Sequence, residues 1–282
     1  MKKIFLILFF TGCTFFDSSN EISIDKFQGL EETLDIVSWN IENFPKLDST
    51  VDFLYPIIDS LNIDIIALQE ISSTTAFNNL VSLLGNSWAG YRSENSGYGE
   101  LAYLVNTSQV NLLNTPYKIL TNDNYYFAYR EPYVLEFSYN DVNYVLINIH
   151  YKCCDGSEDR RLQASFLLKE YIDTYLNGDN VIVAGDFNDN LIDDNNVFLP
   201  FFDDSLNYYF SDYNIAEGSS SYWSFPTYPS HIDHILISNE LFQSVYNTQV
   251  LLIDQSYFNG FNDYNTFISD HRPIVIQLNI NP

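Results

Sequence analysis

The sequence predicts an α/β protein, and three observations carry that reading. Short apolar runs rich in Ile, Val, Leu, Tyr and Phe end in polar residues, as β-strands do. Stretches with apolar residues three or four apart lie between those runs, as helices do. Roughly 270 residues follow the N-terminal apolar segment, enough for one large domain with its own core.

Taken in order, strands are predicted at Leu34–Ile41, Ile63–Glu70, Tyr144–His150, Val181–Asp186, Ile232–Ser238 and Pro273–Leu278. Leu101–Val105 and Tyr133–Phe137 are weaker strands. Helices are predicted near Val51–Leu61, Thr74–Leu84 and Arg160–Leu176. Strands alternating with helices define the α/β class. The Asn/Asp-rich patches Thr121–Asn124 and Asp193–Asn196 read as surface loops. Glu70, His150 and Asp186 end their strands, and Asp270-His271 stands just before another. Strand ends are rigid and converge at a sheet edge, so they can assemble a site.

The N-terminus reads as an export signal. Met1-Lys2-Lys3 is positive, Ile4 to Phe10 is unbroken apolar, and Thr11-Gly12-Cys13 follows. The run is shorter than the about 20 apolar residues of a bilayer-spanning helix and suits a secretory signal. Residues 1–12 are thus expected as a signal peptide of the lipoprotein type, with Cys13 the first mature residue. Phe10 stands where such signals usually carry Leu, which leaves an ordinary signal peptide or a soluble secreted form open. Residues 13–32 read as an acidic tether and 33–282 as the folded domain.

The charge is the opposite of that usual in a polyanion binder. The chain has 12 Lys+Arg against 37 Asp+Glu, a formal net charge of −25, and a cleaved leader would remove Lys2 and Lys3 as well. Phosphate contacts usually come from Lys and Arg. An acidic solvated surface explains the balance, and so does a small substrate. Arg92, Arg130, Lys152, Arg160 and Arg161 stand near the motifs described next, so the local field there can be positive.

Five short motifs occur in order: Ser38-Trp39-Asn40-Ile41, Leu68-Gln69-Glu70, Asn148-Ile149-His150, Gly185-Asp186-Phe187-Asn188 and Ser269-Asp270-His271-Arg272-Pro273. A sixth, Ile232-Asp233-His234, precedes the last. Each alone is weak: a strand-end acid usually faces water, and a lone His is more often a satisfied core residue. Together they supply what phosphodiester hydrolysis needs, which is a charge clamp, an activated water and a proton for the leaving oxygen. Carboxylates and amides suit a hard cation such as Mg2+. With three Cys in the chain and no His-x-x-x-His or Cys-x-x-Cys set, a zinc site of the usual kind is not expected.

The ordered set, spread across the chain, resembles the endonuclease/exonuclease/phosphatase superfamily. The resemblance implies a four-layer α/β sandwich, two packed mixed β-sheets flanked by helices. It implies Glu70 as the principal metal ligand, Asn40 beside it and Asp270 as a second acid near the metal. Mg2+ is the implied cofactor, with Mn2+ or Ca2+ as alternatives. His271 resembles the histidine that contacts the scissile phosphate or activates water, and Asp233 its orienting carboxylate. Asp186 resembles the acid that positions the attacking water, and Asn188 the amide donor to the phosphoryl oxygens. His231 and His234 read as structural or rim residues.

His150 points to the pancreatic-deoxyribonuclease-like branch, where a second acid/base histidine stands at this place. Tyr129-Arg130-Glu131-Pro132 resembles that branch's Arg-Glu-Pro stretch, which implies a phosphate contact for Arg130. Tyr98-Gly99-Glu100 resembles its Tyr-x-Glu, which implies Tyr98 as a substrate contact and Glu100 as the support of His150. The branch also places an Arg two residues after the metal-binding Glu, and Ser72 stands there. The expected activity is an exported nuclease hydrolysing DNA or RNA, monomeric, with nucleic acid as substrate and a membrane contact only through a lipid at Cys13. The alternative is a phosphoesterase for small or lipid headgroup phosphodiesters, which the same fold hosts. A non-catalytic binding module is disfavoured because no motif position is degenerate.

Tyr151-Lys152-Cys153-Cys154 follows His150, and similar Lys-Cys-Cys stretches occur in exported bacterial members. Two readings stay open for the cysteines: a vicinal disulfide that rigidifies the turn, or two free thiols. For Arg160-Arg161, a phosphate-edge contact and a solvated helix start are likewise both open.

Overall fold

The computed structural model describes residues 26–94 and 99–280. The expected signal peptide, Cys13, most of the expected tether and Tyr98 lie outside the described residues.

Strands and helices alternate in the first half of the chain. β1 is Thr33–Phe44, α1 Thr50–Leu61, β2 Ile65–Ile71, α2 Thr74–Leu84, β3 Trp88–Arg92 and β4 Glu100–Asn106. Short β5 (Asn111–Leu112) and β6 (Tyr117–Lys118) lead into β7 (Tyr133–Tyr139), β8 (Val142–His150), α3 (Glu158–Tyr175) and β9 (Val181–Asp186). β10 (Tyr208–Phe210), β11 (Asp233–Ser238), β12 (Val245–Val250) and β13 (Ile274–Asn279) complete the described strands. α3 begins two residues before its predicted start, because Glu158 and Asp159 occupy its first turn, where acids complement the helix dipole. β3, β5, β6, β10 and β12 were not expected from the sequence. They are short, or polar and half-exposed as in Val245–Val250, and carry too little apolar periodicity to be read.

Two mixed sheets form. One runs β12-β13-β1-β2-β4-β3 and the other β10-β11-β9-β8-β7-β5, with β6 also on β7. β1 and β2 are parallel, as are β8 and β9; the remaining pairings are antiparallel. The sheets pack face to face with helices outside, the four-layer sandwich that the motifs imply.

The alternation of side chains along each strand explains the layers. Leu34 and Ile36 of β1, Ile65 and Ala67 of β2, Leu146 of β8, Ile182 and Ala184 of β9 and Ile235 of β11 are buried together between the sheets. Val37, Trp39, Ile66 and Leu68 pack outward against Leu54, Ile58, Leu61, Phe77 and Leu80 of α1 and α2. Ile147, Ile149, Val181 and Val183 pack outward against Ala164, Leu168 and Ile172 of α3. Both faces of each central strand are covered, so those strands read as continuous apolar runs.

The inward face changes character toward one end. Past Ile36 come Ser38 and Asn40; past Ala67, Gln69; past Leu146, Asn148 and His150; past Ala184, Asp186. Gln69 Nε2 donates to Asn148 Oδ1 at 2.9 Å and Asn148 Nδ2 donates to the Leu68 carbonyl at 2.9 Å. Two residues of the sequence motifs, Gln69 and Asn148, thus join the sheets beneath the site.

Residues 26–32, expected as tether, lie against the domain: Gly29 N–H donates to the Leu61 carbonyl at 2.8 Å and Leu30 N–H to Asp35 Oδ2 at 2.7 Å. Here two buried acids meet, since Asp35 N–H donates to Asp64 Oδ2 at 2.8 Å. Burial, with Asp35's charge adding to it, pushes Asp64 up to about 7. Its cost is absent below the unfolded value of 3.8 and builds as pH rises through about 7. Asp64→Asn is therefore expected to stabilise the fold at pH 8 by on the order of 2 kcal/mol and to leave it unchanged at pH 4. Thermal melts at both pH values check this, and equal shifts at both would contradict the assignment.

Candidate active site

The polar ends of β1, β2, β8, β9 and β11 and the turn before β13 meet at one cleft of about 1110 Å³. Asp186 is its hub. β9 pairs with β8 and β11, and the register sets Asp186 beside both His150 and Asp233. Gly185 allows β8 to approach, because a Cβ there would stand 2.0 Å from the Ile149 carbonyl oxygen. Asp186 Oδ1 accepts the Asn188 N–H at 2.9 Å; Oδ2 accepts from Asn40 Nδ2 at 3.0 Å. The same Oδ2 lies 3.3 Å from His150 Nε2 and 3.9 Å from His271 Nε2. Asp186 is 1% exposed. Burial raises its pKa, with the charges of Asp233 and Glu70 adding, while His271 and Asn40 oppose the rise.

The two histidines are pushed in opposite directions. His271 Nδ1 meets Asp233 Oδ2 at 2.7 Å, and its ring packs on Phe225 with centroids 4.8 Å apart. Burial disfavours its charge, but Asp233, Asp186 and Asp270 outweigh burial and lift it to about 10. His150 is held well below the ordinary value by burial and by the cations Arg130, His271 and Lys152. At neutral pH the site thus holds one imidazolium and one neutral imidazole, a separation that suits acid and base roles.

Glu70 reaches the cleft through its backbone. Strand alternation would place it with Ile66 and Leu68 under the helices. Instead its φ is 64°, and the β2–β4 register shifts between Leu68 and Ile71. A non-glycine residue in the left-handed region is strained, and a bulge re-aims a side chain. Glu70 Oε1 accepts from Asn40 Nδ2 at 3.3 Å, and Oε2 from the Asn43 N–H at 2.9 Å. Asp270 lines the same cleft, its Oδ1 3.9 Å from His271 Nε2. Burial raises the Asp270 pKa, and His271 opposes that; the negative charges of Glu42 and Glu70 add to the rise. Both carboxylates line the cleft and feel each other's charge; carboxylate oxygens fit a hard cation, and Glu70 and Asp270 are the residues that would hold it. Asn40 Nδ2 donates to Glu70 and to Asp186, while its Oδ1 accepts the Glu42 N–H at 3.1 Å. It orients the acids, and the second lone pair of its Oδ1 stays available to a cation.

Other expected residues divide. Asn188 and Arg130 line the cleft, although Asn188 Nδ2 lies 3.3 Å from the Tyr151 carbonyl and Arg130 Nη2 donates to it at 3.0 Å. Glu100 does not support His150. Its Oε2 accepts from Ser93 Oγ at 2.8 Å, and His150 Nδ1 has no hydrogen-bond partner among the described residues. The sheet edge turns Glu100 toward β3 instead.

His231 and His234 are structural: both share Asp212 Oδ2, at 3.0 and 2.6 Å. The His231 Nδ1 accepts the Ser224 N–H, which leaves the proton on Nε2, so this buried trio is a hydrogen-bond network rather than a metal site. Arg161 clamps the turn after His150, donating to Asp189, to the Lys152 carbonyl and to the Cys154 carbonyl. Arg160 lies 4.1 Å over the Tyr125 ring at the rim.

The sequence reading missed Glu42, which lines the cleft, pairs with Lys46 and accepts the Asp270 N–H at 3.1 Å. Glu42 stands two residues after Asn40, but with its φ at 25° and that of Asn43 at 52° strand alternation does not place it, so the sequence pattern gave no sure signal. Phe225 and Tyr228 on the rim gave no signal, since their loop has no periodicity, and Tyr129 is marked only as the neighbour of Arg130.

A model of the "Endonuclease/Exonuclease/phosphatase family" matches residues 37–271. A search of curated proteins finds no match. Among solved structures, D. rerio TDP2 with a single-strand DNA product is 15% identical over 88% of this chain and 100% of its own, with a TM-score of 0.68. The human Nocturnin catalytic domain with bound sulfate is 18% identical over 90% and 96%, TM-score 0.67. The 3′ phosphatase NExo from Neisseria, bound to a product DNA hairpin, is 17% identical over 87% and 99%, TM-score 0.61. Such distant likeness bears on the fold, and the family match spans the residues of every motif in the cleft. The chain belongs to the endonuclease/exonuclease/phosphatase family.

Proposed function

We propose that this chain is a divalent-metal-dependent phosphodiesterase that cleaves DNA or RNA by attack of an activated water. The observation that carries the reading is Asp186, a buried carboxylate whose Oδ2 faces His150, His271 and Asn40 at once. A raised pKa makes Asp186 a proton acceptor for water. His271 is already protonated at neutral pH, so it serves as donor to the phosphoryl or leaving oxygen, with Asp233 holding the ring. That favours the phosphate-contacting role of His271 over water activation. His150, neutral and beside Asp186, takes part in proton transfer as the second histidine. Mg2+ is the proposed ion; bound by Glu70 and Asp270, it would offset charge on the phosphoryl group.

Nucleic acid is favoured by the cleft rim. Arg130, Lys152 and Arg160 line the cleft together with Tyr129, 56% exposed, Phe225 and Tyr228, the last 74% exposed. Bases stack on such rings, which lets an acidic chain hold a polyanion. The TDP2 and NExo structures were each solved with a DNA product. Export, with lipidation at Cys13, is proposed from the leader pattern alone; palmitate incorporation that survives Cys13→Ala would end it. The preferred mode, endonucleolytic cutting by a monomer, rests on the resemblance to pancreatic-type deoxyribonucleases.

The test compares plasmid DNA, a single-stranded oligonucleotide and a small bis-aryl phosphodiester, each with millimolar Mg2+. Cleavage of nucleic acid at a higher kcat/KM supports the reading; turnover of the small diester alone would favour the small or lipid headgroup class, as the net charge does. With DNA, divalent ion added beyond catalytic saturation is expected to lower KM further, by screening the acidic surface. The small diester should lack that second phase. A DNA KM that ignores divalent concentration above saturation would contradict the screening argument.

A further inference from the structure

The turn after His150 places two thiols on the wall of the cleft. Cys154 Sγ lies 2.8 Å from Cys153 Sγ, inside ordinary contact of two sulfurs, and Lys152 Nζ lies 3.2 Å from Cys153 Sγ. All three residues line the cleft, and Cys154 is exposed. The turn is pinned: Cys154 has φ 77°, and Arg161 Nη1 donates to the carbonyls of Lys152 at 2.9 Å and Cys154 at 3.1 Å. A buried clamp that holds two sulfurs together beside a cation is more than loop packing requires.

We propose that Cys153 and Cys154 are a reversible oxidation site that closes to a vicinal disulfide, and that closure releases Lys152 to the substrate phosphate. Burial alone would raise the Cys153 thiol, but the Cys154 hydrogen bond and the Lys152 ammonium outweigh it and lower the value, while Cys154 is raised by the same bond. Cys153 is therefore the attacking thiolate. The oxidant is a disulfide, of low molecular weight or protein-borne. Cys153 thiolate attacks it and expels one thiolate, leaving a mixed disulfide. Cys154 gives its proton to that thiolate and attacks the Cys153 sulfur, expelling the second. Two thiols are reduced from the external disulfide, and one eight-membered ring forms.

Adjacent residues across a trans peptide have Cα atoms about 3.8 Å apart, short of the about 4.4–6.8 Å of ordinary disulfides. A strained, exposed bridge is readily reduced again, which suits a reversible site. In the reduced form Cys153 Sγ holds the Lys152 ammonium at 3.2 Å. In the bridged form the sulfurs are uncharged and the ammonium faces the cleft, where phosphate binds. This second consequence rests on the phosphodiesterase reading; the disulfide itself does not.

The full chain, equilibrated with glutathione disulfide or with dithiothreitol, is alkylated and digested with trypsin. Cleavage after Lys152 and Arg160 releases residues 153–160, which contain both cysteines and exclude Cys13. The expected oxidised peptide is unalkylated and lighter by two hydrogens; the reduced one carries two alkyl groups. Two alkyl groups or two glutathione adducts in the oxidised sample would overturn the site. Bridging is further expected to lower KM for a small phosphodiester about fivefold, the size of one partly solvated charge contact. Lys152→Gln should show the same KM in both states, and the Cys153→Ser/Cys154→Ser double variant should match the oxidised KM in either buffer. An unchanged KM on bridging would overturn the link to Lys152. Lack of turnover in both states would instead refute the phosphodiesterase reading, with the peptide mass still deciding the disulfide.

Discussion

Glu70→Ala is expected to lose roughly three to four orders of magnitude in kcat/KM, the effect of removing several kcal/mol of charge stabilisation at the reacting phosphate. Folding should survive, because Glu70 is half-buried at a strand end and its partners are Asn40 and the Asn43 N–H. The backbone supplies a sharper control. At φ 64° a side chain is strained and glycine is not. Glu70→Gly should therefore be at least as stable as Glu70→Ala by thermal melt, yet equally inactive. Chelation should abolish wild-type turnover and added Mg2+ restore it. Full activity after exhaustive chelation, or a Glu70→Ala variant near wild type, would rule out the proposed role.

His271→Ala and Asp233→Asn are each expected to reduce turnover by about two to four orders of magnitude. They act as one unit across a 2.7 Å contact, so the double variant should lose little more than the worse single one. Additive losses would mean that Asp233 serves something other than the His271 ring. The pH profile gives an independent reading. His271 keeps its proton to about 10, so a donor role places the alkaline limb near that value. Asp233→Asn removes the leading charge that lifts His271, and the alkaline limb should move down. An alkaline limb unmoved in Asp233→Asn would separate the two residues. The acidic limb belongs to Asp186, which must be ionised to accept a proton. Burial moves that limb above the ordinary carboxylate range, and a bound divalent cation would draw it back down.

Asp186, His271, Asp233 and Asn188 are named by motifs of three to five residues, because strand ends put chemistry next to a strong apolar pattern. Gln69 and Asn148 carry the same kind of motif signal, yet they hydrogen-bond across the sheets. No one-dimensional pattern separates a polar residue facing a cleft from one facing a sheet. Glu100 fails for a related reason: the short match says nothing about which neighbour its carboxylate meets, and the edge places Ser93 there.

By itself the sequence determined the α/β class, the order of the central strands and helices, and the residue types gathered for phosphodiester chemistry. Apolar periodicity is local, and a motif survives as a string. The tertiary structure decided what depends on distance between strands far apart in the chain. It turned Glu70 into the cleft with a left-handed backbone, brought Glu42 onto the same wall, and set Asp186 between two histidines. It also divided those histidines into a charged one and a neutral one. Burial and neighbouring charge act through space, and only the packed sheets determine which charges are neighbours.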